Sequence, residues 1–288
     1  MAKSRERLIS SFDGEKIWYE TFGQSKDPMV LCDGIGCSGF IWKHFKREFQ
    51  NRHKILHFNY RGHGRSPLPS SHEHLGVEGC AEDLYAVLKN SRLRQKVVLV
   101  GHSMGVQVAL EFYKRYPDRV KAIIAINGTY GNLLDNVHDT DLLAKALPYL
   151  NLATSRWPFL AKLGWEKLMK SPFAMAWARA FEVNPTLMRR EDFKPYFEDL
   201  AAVEPSLFFK TLRAASLHSA EKDLKKIAVP TLIVASEKDT FTPQKLAKKM
   251  HKKIPRSQLL WIPGGSHIGP LEIPELLHLR VAHFLESI

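Results

Sequence analysis

Short apolar runs recur along the first half of the chain, and most end in glycine, asparagine or aspartate. Residues 7–12 and 16–22 read as two strands around the hairpin signal Asp13-Gly14. Residues 29–32 form a buried strand that ends at Asp33-Gly34, and residues 54–59 form the next. The runs at 97–100 and 120–126 are rich in Val and Ile and end at Gly101 and Asn127-Gly128. Between these runs the period changes. Residues 40–50, 77–90 and 106–116 read as helices; Leu84, Val87 and Leu88 share one side of the second, and Pro117 stops the third. Strands apolar throughout, separated by helices, predict a mostly parallel sheet covered on both faces.

The alternation breaks at Asn132 and does not resume until about Lys222. That stretch holds helical patterns and no convincing strand. One helix opens at Ser171-Pro172, a capping residue followed by proline at the first helical position, and sets Phe173, Trp177 and Phe181 on one face. The spacing suits packing onto a core and lining a pocket equally. The alternation then returns with a strand at 229–235, a lysine-rich helix, a strand at 258–262 and a last helix over 272–286.

Composition narrows the class. A chain of 288 residues with 44% apolar content suits one large globular domain, or a core domain with an insertion. No apolar run reaches the ~18 residues needed to span a bilayer, and no apolar segment follows the charged N-terminus as a signal peptide would require. Cys32, Cys37 and Cys80 are too few for a disulfide framework, so a reducing, cytoplasmic setting is expected. No cysteine or histidine spacing suggests a metal site, and no cofactor is expected.

The net charge of +12 is unevenly spread. Nine basic residues fall in 225–256 against Glu237 and Asp239 alone. Five of them, Lys245, Lys248, Lys249, Lys252 and Lys253, lie opposite Leu246, Met250 and Ile254 on a helical wheel. This is a solvated face, or a patch for peripheral contact with an anionic membrane or anionic substrates. No recognition motif accompanies the charge, so nucleic acid is not an expected partner. The pattern does not bear on oligomeric state.

The pentapeptide Gly101-His102-Ser103-Met104-Gly105 carries the chemistry. It joins a predicted strand to a predicted helix, so the serine sits on a sharp turn with its hydroxyl exposed above the sheet edge. With a helical insert after the next strand, this arrangement resembles the α/β-hydrolase superfamily, and the resemblance spans nearly the whole chain. It implies an α/β fold with a core of residues 1–131 and 223–288 and an inserted helical cap over 132–222. In that family the triad runs serine, acid, histidine. The segment Ser236-Glu237-Lys238-Asp239, with Pro243 four residues after the aspartate, resembles the family's acid turn. Pro263-Gly264-Gly265-Ser266-His267 resembles its histidine loop. The resemblance therefore assigns Ser103 as nucleophile, Asp239 as acid in preference to Glu237, and His267 as base. His102 reads as structural. Some relatives take the acid from the end of the preceding strand; here Asn127 stands there and cannot ionise.

The resemblance also implies an oxyanion hole made of the backbone N–H groups of Met104 and Ile35. Two residues depart from the family's pattern. Asp33 stands where relatives carry histidine, and Asn59 where they commonly carry aspartate. Asp33 either burdens a developing oxyanion or holds its loop through hydrogen bonds. Serine as nucleophile, in place of the aspartate of haloalkane dehalogenases and epoxide hydrolases, implies acyl transfer. The expected activity is carboxylesterase or monoacylglycerol-type lipase, on a small-molecule ester with an apolar acyl group. Lactonase, carbon–carbon bond hydrolase, acyltransferase and cofactor-free haloperoxidase activities use a similar triad, and some members of the fold are receptors with little turnover. Within the insert, Trp157, Trp165, Phe173, Trp177 and Phe181 are candidates to line the substrate pocket.

Overall fold

In a computed structural model of the chain, residues 4–23, 27–132, 134, 142–181 and 183–288 are described. Eight strands form one sheet: β1 (Arg5–Ser10), β2 (Lys16–Phe22), β3 (Pro28–Cys32), β4 (Lys54–Phe58), β5 (Val97–Ser103), β6 (Val120–Gly128), β7 (Thr231–Ser236) and β8 (Ser257–Ile262). Their spatial order is β1-β2-β4-β3-β5-β6-β7-β8. The pairs β1–β2 and β2–β4 are antiparallel, and every pair from β4 to β8 is parallel. The fold class expected from the alternating pattern is the one observed.

Alternate residues of the central strands point to opposite faces, as strand geometry requires. Leu99 and Ile123 join one apolar core; Val100 and Ile124 join the other. The first core packs α2 (Val77–Asn90), α3 (Met104–Arg115) and α9 (Gln244–Lys253) against the sheet. The second packs α1 (Lys43–Phe49) and α11 (Pro274–Glu286), with Phe45, Leu277 and Phe284 fully buried. Burying a side chain of this size contributes about 1.5–3 kcal/mol each.

Among the described residues, five α-helices lie between β6 and β7: α4 (Leu142–Arg156), α5 (Pro158–Met169), α6 (Pro172–Phe181), α7 (Arg190–Ala202) and α8 (Pro205–Leu217). They fall within the 132–222 stretch that the pattern marked as an insertion. Several boundaries shift by one to three residues from expectation, and two of the differences bear on the site. β5 runs on through the glycine to Ser103, because it stays paired with β6 to that point, with a shift of register between His102 and Ser103. The last helix is two, α10 (Gly269–Glu272) and α11, broken at Ile273 because proline follows it.

The turn-rich segment after β4 is held from within. The Arg61 guanidinium is buried and donates to both carboxylate oxygens of Asp83 on α2, from Nε at 2.8 Å and from Nη2 at 2.6 Å. It also pairs with Asp13 of the β1–β2 turn. Burial pushes the Asp83 carboxyl up, and Arg61 opposes that shift. Replacing Asp83 with alanine leaves the buried guanidinium short of a partner. Asp83→Ala is expected to lower unfolding free energy by about 3 kcal/mol, read from the midpoint of a urea titration.

Candidate active site

β5 delivers Ser103 into the turn before α3 with φ 56° and ψ −121°, a conformation that a side-chain-bearing residue rarely adopts. The chain can turn so tightly because Gly105 has no side chain: a Cβ there would lie 2.0 Å from the Cys32 carbonyl oxygen of β3. Gly34, after β3, is less tightly constrained, but its Cβ would still lie 3.2 Å from that of Ser103. The turn therefore nests against the loop that carries Gly34 and Ile35. The N-terminus of α3, with its partial positive charge, begins at Met104 beside the serine.

His267 follows β8, and Asp239 follows β7. The His267 Nδ1 lies 3.1 and 3.0 Å from the two carboxylate oxygens of Asp239. That carboxylate is fully buried and accepts three further hydrogen bonds, from Phe241 N at 2.9 Å, Thr242 N at 2.8 Å and Thr242 Oγ1 at 2.6 Å. Burial alone would raise its pKa, but the adjacent imidazole and the Thr242 donors outweigh burial and hold it below the usual carboxylate range. Glu237, the alternative acid, is exposed and accepts from Gly264 N instead. A buried carboxylate on Nδ1 leaves Nε2 of His267 as the ring nitrogen able to take and return a proton.

The backbone of the histidine loop is clamped. The His267 carbonyl accepts from His102 Nε2 and from Asn127 Nδ2, both at 2.9 Å, and Asn127 Nδ2 also reaches the Ser266 carbonyl at 2.9 Å. Asn127 itself has φ 43°, which turns its side chain back under the loop. Glu272 adds a second clamp, accepting from Ser266 N and Ser266 Oγ, and from Asn184 N of the insert. His102, expected to be structural, thus holds the loop of its neighbour; the two imidazole rings are 5.0 Å apart. Because a carbonyl only accepts, His102 carries its proton on Nε2. Burial, and then the nearby His267, lower its pKa from 6.5 to about 4, so it is neutral near pH 7.

Asp33 resolves into the second of its two readings. Its carboxylate is completely buried and accepts from Trp42 Nε1 at 2.7 Å and His57 Nε2 at 2.8 Å, while Tyr60 Oη donates to its carbonyl at 2.8 Å. These bonds hold the loop after β3. Asp199 of α7 ties the same loop to the insert, accepting from Ser38 N at 2.8 Å and Ser38 Oγ at 2.6 Å.

Ser103, His102, Thr242, His267, Gly34 and Ile35 open onto one cavity of about 520 Å³. Trp165, Phe173 and Trp177 of the insert line it as well, Trp165 fixed by an Nε1 bond of 2.6 Å to the Leu200 carbonyl. One of the expected lining residues stands elsewhere, and one cannot be placed. Trp157 is 57% exposed at the start of α5 and is not among the lining residues, because it precedes the helix at a turn that faces outward. The Phe181 side chain lies outside the described residues. Residues that pattern reading passed over supply the rest of the wall, notably Tyr196, Phe197, Phe208 and Leu212 on α7 and α8. Phe208 and Leu212 stand four apart on one helix face, a signal shared by any packed helix. Among the described residues, no Asp, Glu, Lys or Arg lines the cavity.

With this geometry in place, comparison with known proteins is informative. Residues 27–274 match the family model of the alpha/beta hydrolase fold. The uncharacterised hydrolase YugF of Bacillus subtilis (strain 168) is 24% identical over 278 residues, covering 95% of this chain and 96% of that protein. A thermophilic esterase from Thermogutta terrifontis superposes with a TM-score of 0.79 at 20% identity, covering 98% of each chain. A bromoperoxidase from Bacillus anthracis also gives 0.79, at 22% identity, covering 98% of this chain and 100% of its own. At these identities the structural likeness is one of fold.

The buried His102 makes stability depend on pH. Its affinity for a proton is lower folded, at about 4, than at the ordinary value of 6.5, so the unfolded chain takes up the proton first. Its contribution is fully present above about pH 6.5 and is lost as pH falls through that value towards 4. A His102→Gln variant is expected to lose less stability than the parent across this window, measured as urea midpoints at a series of pH values.

Proposed function

Because the chain belongs to the α/β-hydrolase fold family, we propose that it is a serine hydrolase that cleaves carboxylic esters with an apolar acyl group, of carboxylesterase or monoacylglycerol-lipase type. The observation that carries this reading is the meeting of Ser103, in its strained turn, with the Asp239–His267 pair in one cavity lined by apolar and uncharged side chains. The esterase likeness of the fold is compatible with it.

In this reading the Ser103 Oγ attacks the ester carbonyl while His267 Nε2 takes its proton. The oxyanion of the tetrahedral intermediate is met by the N–H groups of Met104 and Ile35. The carbon–oxygen bond to the alcohol then breaks, and His267 returns the proton to the leaving alkoxide. Water, deprotonated by the same imidazole, attacks the acyl-enzyme and releases the acid. Asp239 holds the imidazole in the required tautomer and stabilises the cation formed at each transfer. The absence of charge from the described cavity wall favours a neutral, apolar acyl group, because a charged one would lose its hydration without a partner. His102 and Asn127 act as positioning residues through the His267 peptide.

Two measurements test this. Ser103→Ala is expected to abolish labelling by a fluorophosphonate probe and to lower kcat for p-nitrophenyl esters about a thousandfold or more; retained labelling removes Ser103 as nucleophile. A series of acyl chain lengths run beside lactones reads the substrate class, and stoichiometric binding without turnover replaces the enzyme by a receptor. Asn127→Ala removes one donor from each of two loop carbonyls, leaving His102 alone on that of His267. It is expected to reduce kcat by roughly tenfold to a hundredfold, with KM little changed, the equivalent of about 1–3 kcal/mol.

A further inference from the structure

The insert as a whole is nearly neutral, with twelve basic and eleven acidic residues in 132–222, but its charge is segregated. Residues 142–181, which make up α4, α5 and α6, hold six basic residues against Glu166 alone. The same stretch holds most of the exposed apolar surface. Of the fifteen large apolar side chains exposed among the described residues, nine lie between 149 and 177. α5 has no buried residue at all: Phe159 is 79% exposed, Leu160 63% and Leu163 44%. These three fall on one face of α5, with Lys167 and, just past the helix end, Lys170, which pairs with Glu166, on the same side. Tyr149 and Leu152 extend the apolar surface onto α4. A globular protein gains nothing by holding so many large apolar side chains in water, and a face of this kind marks a contact surface.

We propose that the face formed by α4, α5 and the start of α6 docks onto a lipid bilayer that carries anionic phospholipid. Two features select this occupant. Lysine and arginine interleaved with exposed aromatic and leucine side chains are what an interfacial helix uses, the apolar groups entering the acyl boundary and the cations meeting lipid phosphates. The same helices also reach the cavity. Leu168, Phe173 and Trp177 line it and are at the same time 45%, 64% and 48% exposed, so the exposed apolar surface extends to the cavity wall. Among the described residues no helix is long and apolar enough to cross a membrane, so the contact is a surface one.

The lysine-rich helix α9 is the weaker candidate for such a contact. Lys249 and Lys253 pair with Glu221 at 2.8 and 2.7 Å, Lys248 lies over the Trp261 ring, and no large apolar side chain is exposed on that helix. It offers charge without anything to insert.

The docking surface does not depend on the ester-hydrolase reading, and its test is kept separate from it. Protein carrying Ser103→Ala is sedimented with vesicles of phosphatidylcholine, and of phosphatidylcholine mixed with phosphatidylglycerol. Binding is expected to the mixed vesicles, weaker to phosphatidylcholine alone, and weakened by salt. Replacing Phe159, Leu160 and Leu163 together with serine is expected to lower partitioning at least about tenfold. The same triple variant is expected to keep the parent's circular dichroism and its urea unfolding midpoint, which separates lost docking from lost folding. Glutamine at Lys248 and Lys252 is expected to change partitioning little. The proposal fails if the parent does not bind mixed vesicles, if the triple variant binds as well as the parent, or if the α9 variant loses binding to the same extent. It also fails if the parent is a dimer that the triple variant makes monomeric without any vesicle binding, which would assign the face to a second copy of the chain.

Discussion

Everything at the site depends on one strained residue. Ser103 is held at φ 56° between a buried strand and a buried helix, a conformation that costs of order 1–3 kcal/mol and persists only where its surroundings over-determine it. The surroundings here are β5, hydrogen-bonded in parallel to both β3 and β6, and α3, whose first turn presses against the end of β3. The close approach of Gly105 to the Cys32 carbonyl is what brings the loop bearing Gly34 and Ile35 up against the serine. The same contact thus sets the proposed nucleophile and the loop proposed to meet the oxyanion. A larger residue at Gly105 would part the two.

The opposite side of the site is held by hydrogen bonds rather than by backbone packing. His267 lies on a glycine-rich loop that has no sheet or helix to fix it. Its position is set from three directions: Asp239 on the ring, His102 and Asn127 on the carbonyl, and Glu272 on the preceding residue. Asn127 occupies the place where some relatives carry the acid, and here an amide supplies donors to the loop. A carboxylate at that point could not donate to the two carbonyls. The exchange of acid for amide is therefore consistent with an acid located after β7, at Asp239, and with a loop anchored from β6.

The insert is bound to both halves of the site, through Asp199 on the loop after β3 and through Asn184 on the histidine loop. These bonds come from its second half. Its first half, α4 to α6, carries most of the exposed apolar residues. Both parts line the cavity, and the first also exposes large apolar side chains to water.

Much of this was legible in the chain. The alternation of Val- and Ile-rich runs with helical periods determined the sheet, because buried parallel strands are apolar throughout and their crossovers are helices. Gly101 to Gly105, Asp239 before Pro243, and His267 after paired glycines marked the site, since a sharp strand–helix turn and two loops after strands each leave a local signature. Local pattern could not decide between the two readings of Asp33, because its partners Trp42 and His57 come from other elements. Nor could it show that His102 and Asn127 clamp His267, with more than a hundred residues intervening in each case. The cavity wall was the least legible part. Phe173, Trp165 and Trp157 look alike as aromatic residues on helices, and only the docking of one helix on another decides which ring faces the cavity and which faces water. A helix's sequence determines which residues share a face; what that face meets is determined by the elements that pack against it.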